Sequence, residues 1–188
     1  MKGTQTEKNL LAAFAGESQA RNRYTYFASV AKKAGYEQIS AIFQETADNE
    51  KEHAKRFFKL LEGGEVEITA SYPSGVIGDT PSNLNAAAVG ENTEWTKLYP
   101  EAASIARKEG FEAVAAQFDE IAKVEKEHEK RYRKLLENVK SSRVFAGSQD
   151  ARWKCRNCGR VIDGKQAPEK CPACEHPMAY FELLCENY

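Results

Sequence analysis

The sequence predicts a mainly α-helical protein, in which a four-helix bundle is followed by a small C-terminal metal-binding domain. Apolar residues recur in steps of three and four over long stretches, which is the period of an amphipathic helix. Residues 31–62 and 106–137 are identical at more than half of their aligned positions, which indicates a duplicated helical hairpin. Two C-x-x-C pairs near the C-terminus predict a separate metal site there.

The composition excludes several classes of function. The 188 residues include 27 basic and 28 acidic side chains, and a net charge of −1 creates no general attraction for nucleic acid or an anionic membrane. No apolar run is long enough to span a bilayer, and the polar start of the chain lacks the layout of a signal peptide. Four of the five cysteines lie in C-x-x-C pairs, which are metal ligands in a reducing compartment. We therefore expect a cytoplasmic protein.

Capping residues and helix breakers divide the first part of the chain into four helices. Thr4 followed by Glu7 has the form of a capping box at the first helix. Thr80-Pro81 predicts an N-cap with proline at the first position of the third helix. Glycines mark the other helix ends, and residues 65–79 are predicted to form a long crossover loop between the hairpins. The predicted helices are residues 4–34, 36–62, 80–109 and 111–140.

Each hairpin carries the same Glu-x-x-His pair in the middle of its apolar face. Glu50 and His53 form the first pair, Glu125 and His128 the second, and a spacing of three places both side chains on one face of a helix. A single Glu-x-x-His motif is more often on the solvated side of a helix. Two copies at matching positions of the apolar faces are not explained by solvent exposure. The apolar faces offer no cation to pair with the acids, and a buried carboxylate is costly unless it is paired or binds a metal. The pairs therefore predict a metal site.

The first and third helices add three carboxylates. Glu17 and Glu91 each follow a glycine and occupy corresponding positions, whereas Glu94 has no counterpart, because Ala20 stands in its place. The predicted inward faces are Leu10, Phe14, Glu17, Tyr24, Ala28 and Ala31, and Leu84, Ala87, Glu91, Glu94, Leu98 and Ile105. The five carboxylates carry a charge that two divalent ions offset better than one. Carboxylate and imidazole ligands are compatible with iron, manganese or zinc.

The C-terminal cysteines predict a tetrahedral metal site. Cys155, Cys158, Cys171 and Cys174 have the spacing C-x2-C, twelve residues, C-x2-C. This spacing accepts zinc or iron, and alone it favours a structural zinc ribbon. Trp153, Tyr180 and Phe181 are the expected apolar cover. The predicted domains are a bundle over 1–140, a linker over 141–152 and a metal-binding domain over 153–188.

These motifs, in this order, resemble the rubrerythrin family, in which a ferritin-like di-iron bundle precedes a rubredoxin-like domain. The resemblance extends from Thr6 to the C-terminus and is carried by residues 16–21, the two Glu-Lys-Glu-His runs, Gly90-Glu91 with Glu94, and the cysteine pairs. It implies one iron on the four cysteines, although zinc can replace it on heterologous expression. One departure is Arg160, where rubredoxin-like domains often carry an aromatic residue. The implied di-iron ligands are Glu17, Glu50, His53, Glu91, Glu94, Glu125 and His128.

The resemblance also implies an activity: reduction of hydrogen peroxide to water in defence against oxidative stress. Electrons would come ultimately from NADH, through a rubredoxin or an NADH-dependent reductase. His53 and Glu94 would be alternative ligands of one iron. Tyr24 and Tyr99 match tyrosines of the family that donate hydrogen bonds to carboxylates of the di-iron site. The alternative is that both residues only pack against other apolar side chains. The family's short electron path between subunits implies a homodimer.

Three other functions are weighed against this one. A ferroxidase or iron-storage protein would share the bundle but would not need an electron-carrying tail. A di-iron oxygenase would need a cavity for an organic substrate, and the extra Glu94 crowds the site. A nucleic-acid-binding zinc ribbon would need a basic patch, whereas the basic residues of the tail are scattered. Cys185 and His176 lie outside the predicted ligand set, as a reduced thiol and a turn residue.

Overall fold

Two antiparallel helical hairpins form the N-terminal part of the chain. The structure is a computed structural model that describes residues 1–187; Tyr188, the last residue of the predicted tail domain, lies outside the described residues. The first hairpin pairs α1 with α2, and the second pairs α3 and α4 with α5. A π-helical segment, Glu94–Leu98, joins α3 to α4. The helices are α1 Gln5–Lys33, α2 Glu37–Leu60, α3 Thr80–Thr93, α4 Tyr99–Lys108 and α5 Glu112–Lys140.

Local signals explain where most helices begin and end. The Thr4 hydroxyl accepts a hydrogen bond from the backbone N–H of Glu7 at 3.2 Å, so the predicted cap of α1 is confirmed. Gly35 and Gly110 follow α1 and α4 with φ of +81° and +84°, a conformation that favours glycine. The bounds of α1, α2 and α5 agree with the prediction within two residues. The predicted N-cap Thr80 is wrong by one position, because the Asp79 side chain accepts from Ser82 N–H at 2.9 Å.

The third predicted helix is not continuous. The π-helical segment inserts one extra residue into a turn, so the inward face shifts by one position after Glu91. Tyr99 is therefore buried, whereas Leu98, predicted to face inward, is 48% exposed. Ile105 is likewise only partly buried, and Ala106 takes the inward position.

Two apolar clusters fill the bundle, one on either side of the acidic residues. One cluster is built around Phe27, Phe43 and Tyr132, and the other around Phe57 and Phe118. In each helix the predicted metal ligands lie between the residues of the first cluster and those of the second. The bundle therefore places its acids in a central layer that is closed by aromatic residues at both ends.

The C-terminal part is a three-stranded antiparallel sheet of order β2-β1-β3. Its strands are β1 Arg152–Cys155, β2 Val161–Asp163 and β3 Phe181–Leu183. Trp153 and Phe181 are buried in its core, and Tyr180 is partly buried against them. This domain packs against the start of α2, where the rings of Tyr36 and Phe145 stack at 6.1 Å. Among the described residues, no helix combines the length and apolar character that a membrane crossing requires.

Candidate metal centre

Six of the seven predicted bundle ligands come together in the central layer. They form two overlapping donor sets, and within each set the ligand atoms lie within 4.8 Å of one another. The first set is Glu17, Glu50, His53 and Glu125, and the second is Glu50, Glu91, Glu125 and His128. Glu50 and Glu125 belong to both sets. A carboxylate has two oxygens, so these two residues can each contact both of two neighbouring ions.

Several of the donor atoms have no hydrogen-bond partner in the protein. Both carboxylate oxygens of Glu125, one oxygen of Glu50 and Nδ1 of His128 are buried without a hydrogen-bond partner. Nδ1 of His128 lies 2.8 Å from a Glu125 oxygen, and Nδ1 of His53 lies 2.9 Å from oxygens of both Glu50 and Glu125. Buried polar atoms normally have partners. Lone pairs that converge in this way are the arrangement that a bound metal ion satisfies.

Burial and mutual repulsion make the acids costly without metal. Burial, together with the charges of neighbouring glutamates, raises the pKa of Glu17 and Glu91 well above the ordinary value. The same causes raise the pKa of Glu94 to about 8. Crowded carboxylates of this kind cannot all ionise. Two divalent cations remove this repulsion, and binding them requires that the carboxyl protons leave.

Burial and the neighbouring carboxylates shift the pKa of each imidazole in opposite directions. Burial lowers the pKa of His53, but the adjacent carboxylates of Glu125 and Glu50 outweigh it and raise the pKa to about 10. The same opposition brings the pKa of His128 to about 9. Burial raises the pKa of Glu50, yet the two imidazoles lower it to about 2. Without metal, each imidazole therefore holds a proton at neutral pH, on a ring whose nitrogen a metal ion would need.

Two tyrosines hold the outer carboxylates of the donor sets. The Tyr24 hydroxyl donates to Glu91 at 2.6 Å, and the Tyr99 hydroxyl donates to Glu17 at 2.5 Å. Burial raises the pKa of both phenols well above the ordinary value, so both stay protonated donors. Each bond joins one hairpin to the other and occupies one carboxylate oxygen, which leaves the second oxygen for a metal.

Glu94 lies outside both donor sets. Its backbone begins the π-helical segment, and its side chain is only partly buried, whereas Glu91 one turn earlier is 1% exposed. A cleft of about 1050 Å³ runs between α1, α3 and α4 beneath residues 67–73 and reaches Glu94 and Tyr99. The cleft therefore borders the central layer on the side where Glu94 stands.

The sequence contains a signal for this irregular turn. Glu17 and Glu91 are 74 residues apart, whereas Tyr24 and Tyr99, which follow them, are 75 apart. One residue is therefore inserted between Glu91 and Tyr99, and the π-helical segment lies in that interval. The segment ends just before Pro100, which lacks the N–H that a regular helix would use.

One buried acid escaped the sequence analysis. Glu129 is only 7% exposed, although it lies beside the predicted apolar face and not on it. Its carboxylate accepts hydrogen bonds from Asn92, Trp95 and Arg133. A helical period cannot identify such a residue, because two of its partners, Asn92 and Trp95, lie on other elements of the bundle.

The four cysteines of the tail also form a donor set within 4.8 Å. The Sγ atoms of Cys155 and Cys174 are 3.7 Å apart, and so are those of Cys158 and Cys171. A tetrahedron with metal–sulfur bonds of about 2.3 Å has edges of about 3.8 Å, so these separations suit one bound ion. A backbone N–H of His176 lowers the pKa of the Cys174 thiol to about 6, which favours the thiolate. Cys185 is exposed and lies outside this set.

The comparisons with known proteins match both parts of the chain. The rubrerythrin family model matches residues 8–136, and the model of the rubrerythrin, rubredoxin-like domain matches residues 153–182. A rubrerythrin of Porphyromonas gingivalis is 63% identical over all of this chain and 94% of that protein. A rubrerythrin of Nitratidesulfovibrio vulgaris is 58% identical over all of this chain and 98% of that protein.

Solved structures show the same architecture. Nigerythrin in a mixed-valence state has a TM-score of 0.65 and 31% identity, over 98% of this chain and 88% of that one. Bacterioferritin of Desulfovibrio desulfuricans has a TM-score of 0.68 over 74% of this chain and 82% of that one; at 20% identity it supports the fold alone. The ferritin-like bundle and the rubredoxin-like domain are confirmed, with a carboxylate and histidine site for two irons and a four-cysteine site for one. The chain belongs to the rubrerythrin family.

Proposed function

We propose that the protein is a non-haem di-iron peroxidase that reduces hydrogen peroxide to water and so protects against oxidative stress. The observation that supports this most directly is the pair of buried donor sets that share Glu50 and Glu125, in a chain that also carries a four-cysteine site. A pair of adjacent iron ions supplies, when bound, the two electrons that cleavage of the O–O bond needs. The cleft that reaches Glu94 is the proposed route of entry for peroxide.

The chain's own residues would hold and orient this centre. Glu50 and Glu125 would bridge the two positions, while His53 and His128 would each bind one. The hydroxyls of Tyr24 and Tyr99 fix the outer carboxylates, so these ligands keep their orientation. Reduction of one peroxide consumes two electrons and two protons and yields two water molecules. The aromatic clusters on either side keep bulk water away from the central layer.

His53 and Glu94 are proposed as alternative ligands of one iron. In this structure His53 belongs to a donor set and Glu94 does not. The family resemblance implies that Glu94 takes over from the histidine when that iron is oxidised. A carboxylate carries a negative charge, so it favours the more highly charged ion more than a neutral imidazole does.

The tail would relay electrons from a rubredoxin or an NADH-dependent reductase, one at a time. Within one chain the tail packs at the start of α2, beside Tyr36. Glu50 lies fourteen residues further along that helix, which is about 21 Å at 1.5 Å per residue. A second copy of the chain could bring its cysteines closer. We therefore propose a cytoplasmic homodimer in which the tail of one subunit serves the bundle of the other.

The exposed surface supports an interface between copies. The crossover between the hairpins carries several large apolar side chains that contact solvent in the single chain, and Val76 is 87% exposed. The exposed apolar residues of this crossover are Val66, Ile68, Tyr72, Val76 and Ile77. Clustered exposed apolar residues are typical of interaction surfaces.

Iron quantification and peroxide turnover test the proposal together. Protein grown in iron-replete medium should hold about three irons per chain, two in the bundle and one in the tail. With NADH, a reductase and rubredoxin, it should consume peroxide much faster than oxygen. Replacement of Cys158 and Cys171 by serine should stop NADH-driven turnover but not a single oxidation of the reduced bundle. Accumulation of hundreds of irons per assembly, with oxygen as the preferred oxidant, would instead establish a ferroxidase or storage protein.

A further inference from the structure

A buried carboxylate outside the two donor sets lies next to a metal ligand on α5. Glu129 follows His128 on α5, and both of its oxygens accept hydrogen bonds. One oxygen accepts from Nδ2 of Asn92 at 3.0 Å and from Nε1 of Trp95 at 2.5 Å. The other accepts from Nε of Arg133 at 2.5 Å. Glu129 belongs to neither donor set, so metal binding does not explain why this acid is buried.

The partners of Glu129 indicate what it does. Asn92 and Trp95 lie on either side of Glu94, in the turn where the helix changes from α to π. Successive residues of a helix point about 100° apart, so His128 can face the metal centre while Glu129 faces this turn. The carboxylate thus connects the helix that carries a metal ligand to the turn that carries Glu94.

The π-helical segment needs support of this kind. Its backbone bond, from the Tyr99 N–H to the Glu94 carbonyl, spans five residues, and Pro100 provides no N–H to continue the regular pattern. Within the described part of the chain, the bond from Trp95 to Glu129 is the side-chain hydrogen bond that joins this segment to α5. The ammonium of Lys126 lies 5.3 Å from the centre of the Trp95 ring and adds a second contact.

We propose that Glu129 is a positioning residue, whose carboxylate anchors Asn92 and Trp95 so that the π-helical turn presents Glu94 to the metal centre. The inference rests on the ligand role proposed above for Glu94. Without the anchor, the widened turn could relax toward a regular helix, and the carboxylate of Glu94 would lose its fixed approach to the iron.

The reduction potentials of the bundle irons test this inference in the iron-loaded full chain. If Glu94 binds the oxidised iron, Glu94→Gln should destabilise that state and raise the potential. Glu129→Ala should raise the reduction potential by a smaller amount, because Glu94 is still present but its turn is no longer anchored. Glu129→Gln retains an acceptor for Asn92 and Trp95 and should restore most of the original value. The potential of the four-cysteine iron should stay unchanged in every variant, as an internal reference.

Two further variants separate positioning from folding. Trp95→Phe removes one hydrogen-bond donor and keeps an aromatic ring, so it should raise the bundle potential even if Glu129→Ala fails to fold. Glu127→Ala is the matched control, since Glu127 is 64% exposed and pairs with Lys130 on the same helix. It should leave both potentials unchanged. The potentials are read from redox titrations in which the mixed-valence signal of the bundle is followed by electron paramagnetic resonance.

The possible outcomes distinguish this inference from the proposed function. A shift with Glu94→Gln but none with Glu129→Ala or Trp95→Phe would overturn the role of Glu129 and leave that of Glu94 intact. An absence of any shift with Glu94→Gln would overturn both. Potentials that shift as expected in a protein without peroxide turnover would support the anchor and refute only the peroxidase assignment.

Discussion

Glu50 and Glu125 show how a residue's surroundings determine its role. Both are among the most buried residues of the chain, and each contributes to both donor sets. Elsewhere on the same helices, glutamates such as Glu52 and Glu127 are exposed and pair with lysines. The sequence Glu-Lys-Glu-His therefore contains one inward and one outward acid. The inward acid differs from the outward one only in its spacing: it lies three or four residues from the apolar residues of the same helix face.

The shared residues should matter more than the unshared ones. Glu125→Ala removes a ligand from both donor sets, so we expect the bundle to lose both irons. His128→Ala removes a ligand from one set only, and we expect about one iron to remain in the bundle. Metal analysis of the purified variants measures this, with the tail iron as the reference. Equal losses in the two variants would show that the sets are not shared in the way the geometry indicates.

Each tyrosine should affect the iron affinity of one of the two metal positions in the bundle. Tyr99→Phe removes the donor to Glu17, and Tyr24→Phe removes the donor to Glu91. Loss of a group that orients a metal ligand typically weakens binding by about 10- to 100-fold. We expect each variant to weaken one of the two bundle positions by this amount, as measured by competition with a chelator. Unchanged affinities in both variants would leave the tyrosines with a packing role only.

Metal binding should release protons, and the direction follows from the histidines. The pKa values of His53 and His128 are raised to about 10 and about 9, so both rings are protonated in the metal-free protein at neutral pH. A ring must lose its proton before its nitrogen can bind a metal. Affinity should therefore rise with pH up to about 10 and fall as the pH is lowered, by about tenfold per unit for each proton released.

An indicator dye in weakly buffered solution measures this release. The tail is first filled with zinc, and the bundle is then titrated with ferrous iron under anaerobic conditions. At least two protons per chain should appear at pH 7. Binding that releases no protons between pH 6 and pH 8 would contradict the proposed histidine ligands.

At the scale of elements, caps and breakers predicted the helices well because they act locally. Thr4, Gly35 and Gly110 mark helix ends through contacts within a few residues, and sequence signals report such contacts. The start of α3 was misplaced because Asp79 and Thr80 are both good caps. The choice between them depends on which side chain reaches Ser82, which composition does not determine.

A single constant helical period does not predict the π-helical segment. After Glu91 the inward positions move by one residue, from Leu98 to Tyr99 and from Ile105 to Ala106. The changed spacing between the repeated Glu and Tyr residues contains this information, but only if the halves are aligned with a gap. The hydrogen bonds from Asn92 and Trp95 to Glu129 could not be predicted, because they depend on how α5 packs against α3 and the π-helical segment.

Removal of one residue from the π-helical segment should restore a regular helix. Lys97 is exposed, so its deletion should leave the helix content and the folding of the bundle intact. We expect the thermal stability to fall, because Pro100 would then lie inside a continuous α-helix without an N–H to donate. The reduction potential of the bundle irons should rise as in Glu94→Gln, because Glu94 would then lie in a regular α-helical turn. Circular dichroism and the redox titration measure the two effects, and a variant that fails to fold would contradict this account.

At the scale of the whole molecule, the sequence predicted both parts but not their arrangement. The cysteine spacing identified the tail, and the helical period identified the bundle. The contact between Tyr36 and Phe145, which places the tail at the start of α2, has no signature in either pattern. This contact separates the two metal sites of one chain, and it is the reason that we propose electron transfer between subunits.

Mixed dimers test this transfer directly. One subunit carries Cys158→Ser and Cys171→Ser, and the other carries Glu125→Ala, so neither homodimer should reduce peroxide with electrons from NADH. A mixture that has exchanged subunits should recover activity, because an intact tail then faces an intact bundle in the partner. Cys185→Ser in place of the tail variants is the control and should not reduce activity, since Cys185 is exposed and outside the site. No recovery after verified exchange would contradict the proposal.

The interruption of one helix has a consequence for the symmetry of the molecule. α1 runs without a break from Gln5 to Lys33, while its duplicated counterpart is divided by the segment Glu94–Leu98. Duplication of a gene segment yields two equivalent halves, and equivalent halves give the two ions the same chemistry. A single inserted residue makes the halves unequal without altering any of the shared ligands. The two ion positions are therefore unequal in the backbone, through the inserted residue, and in a side chain, since Ala20 stands where the other half has Glu94.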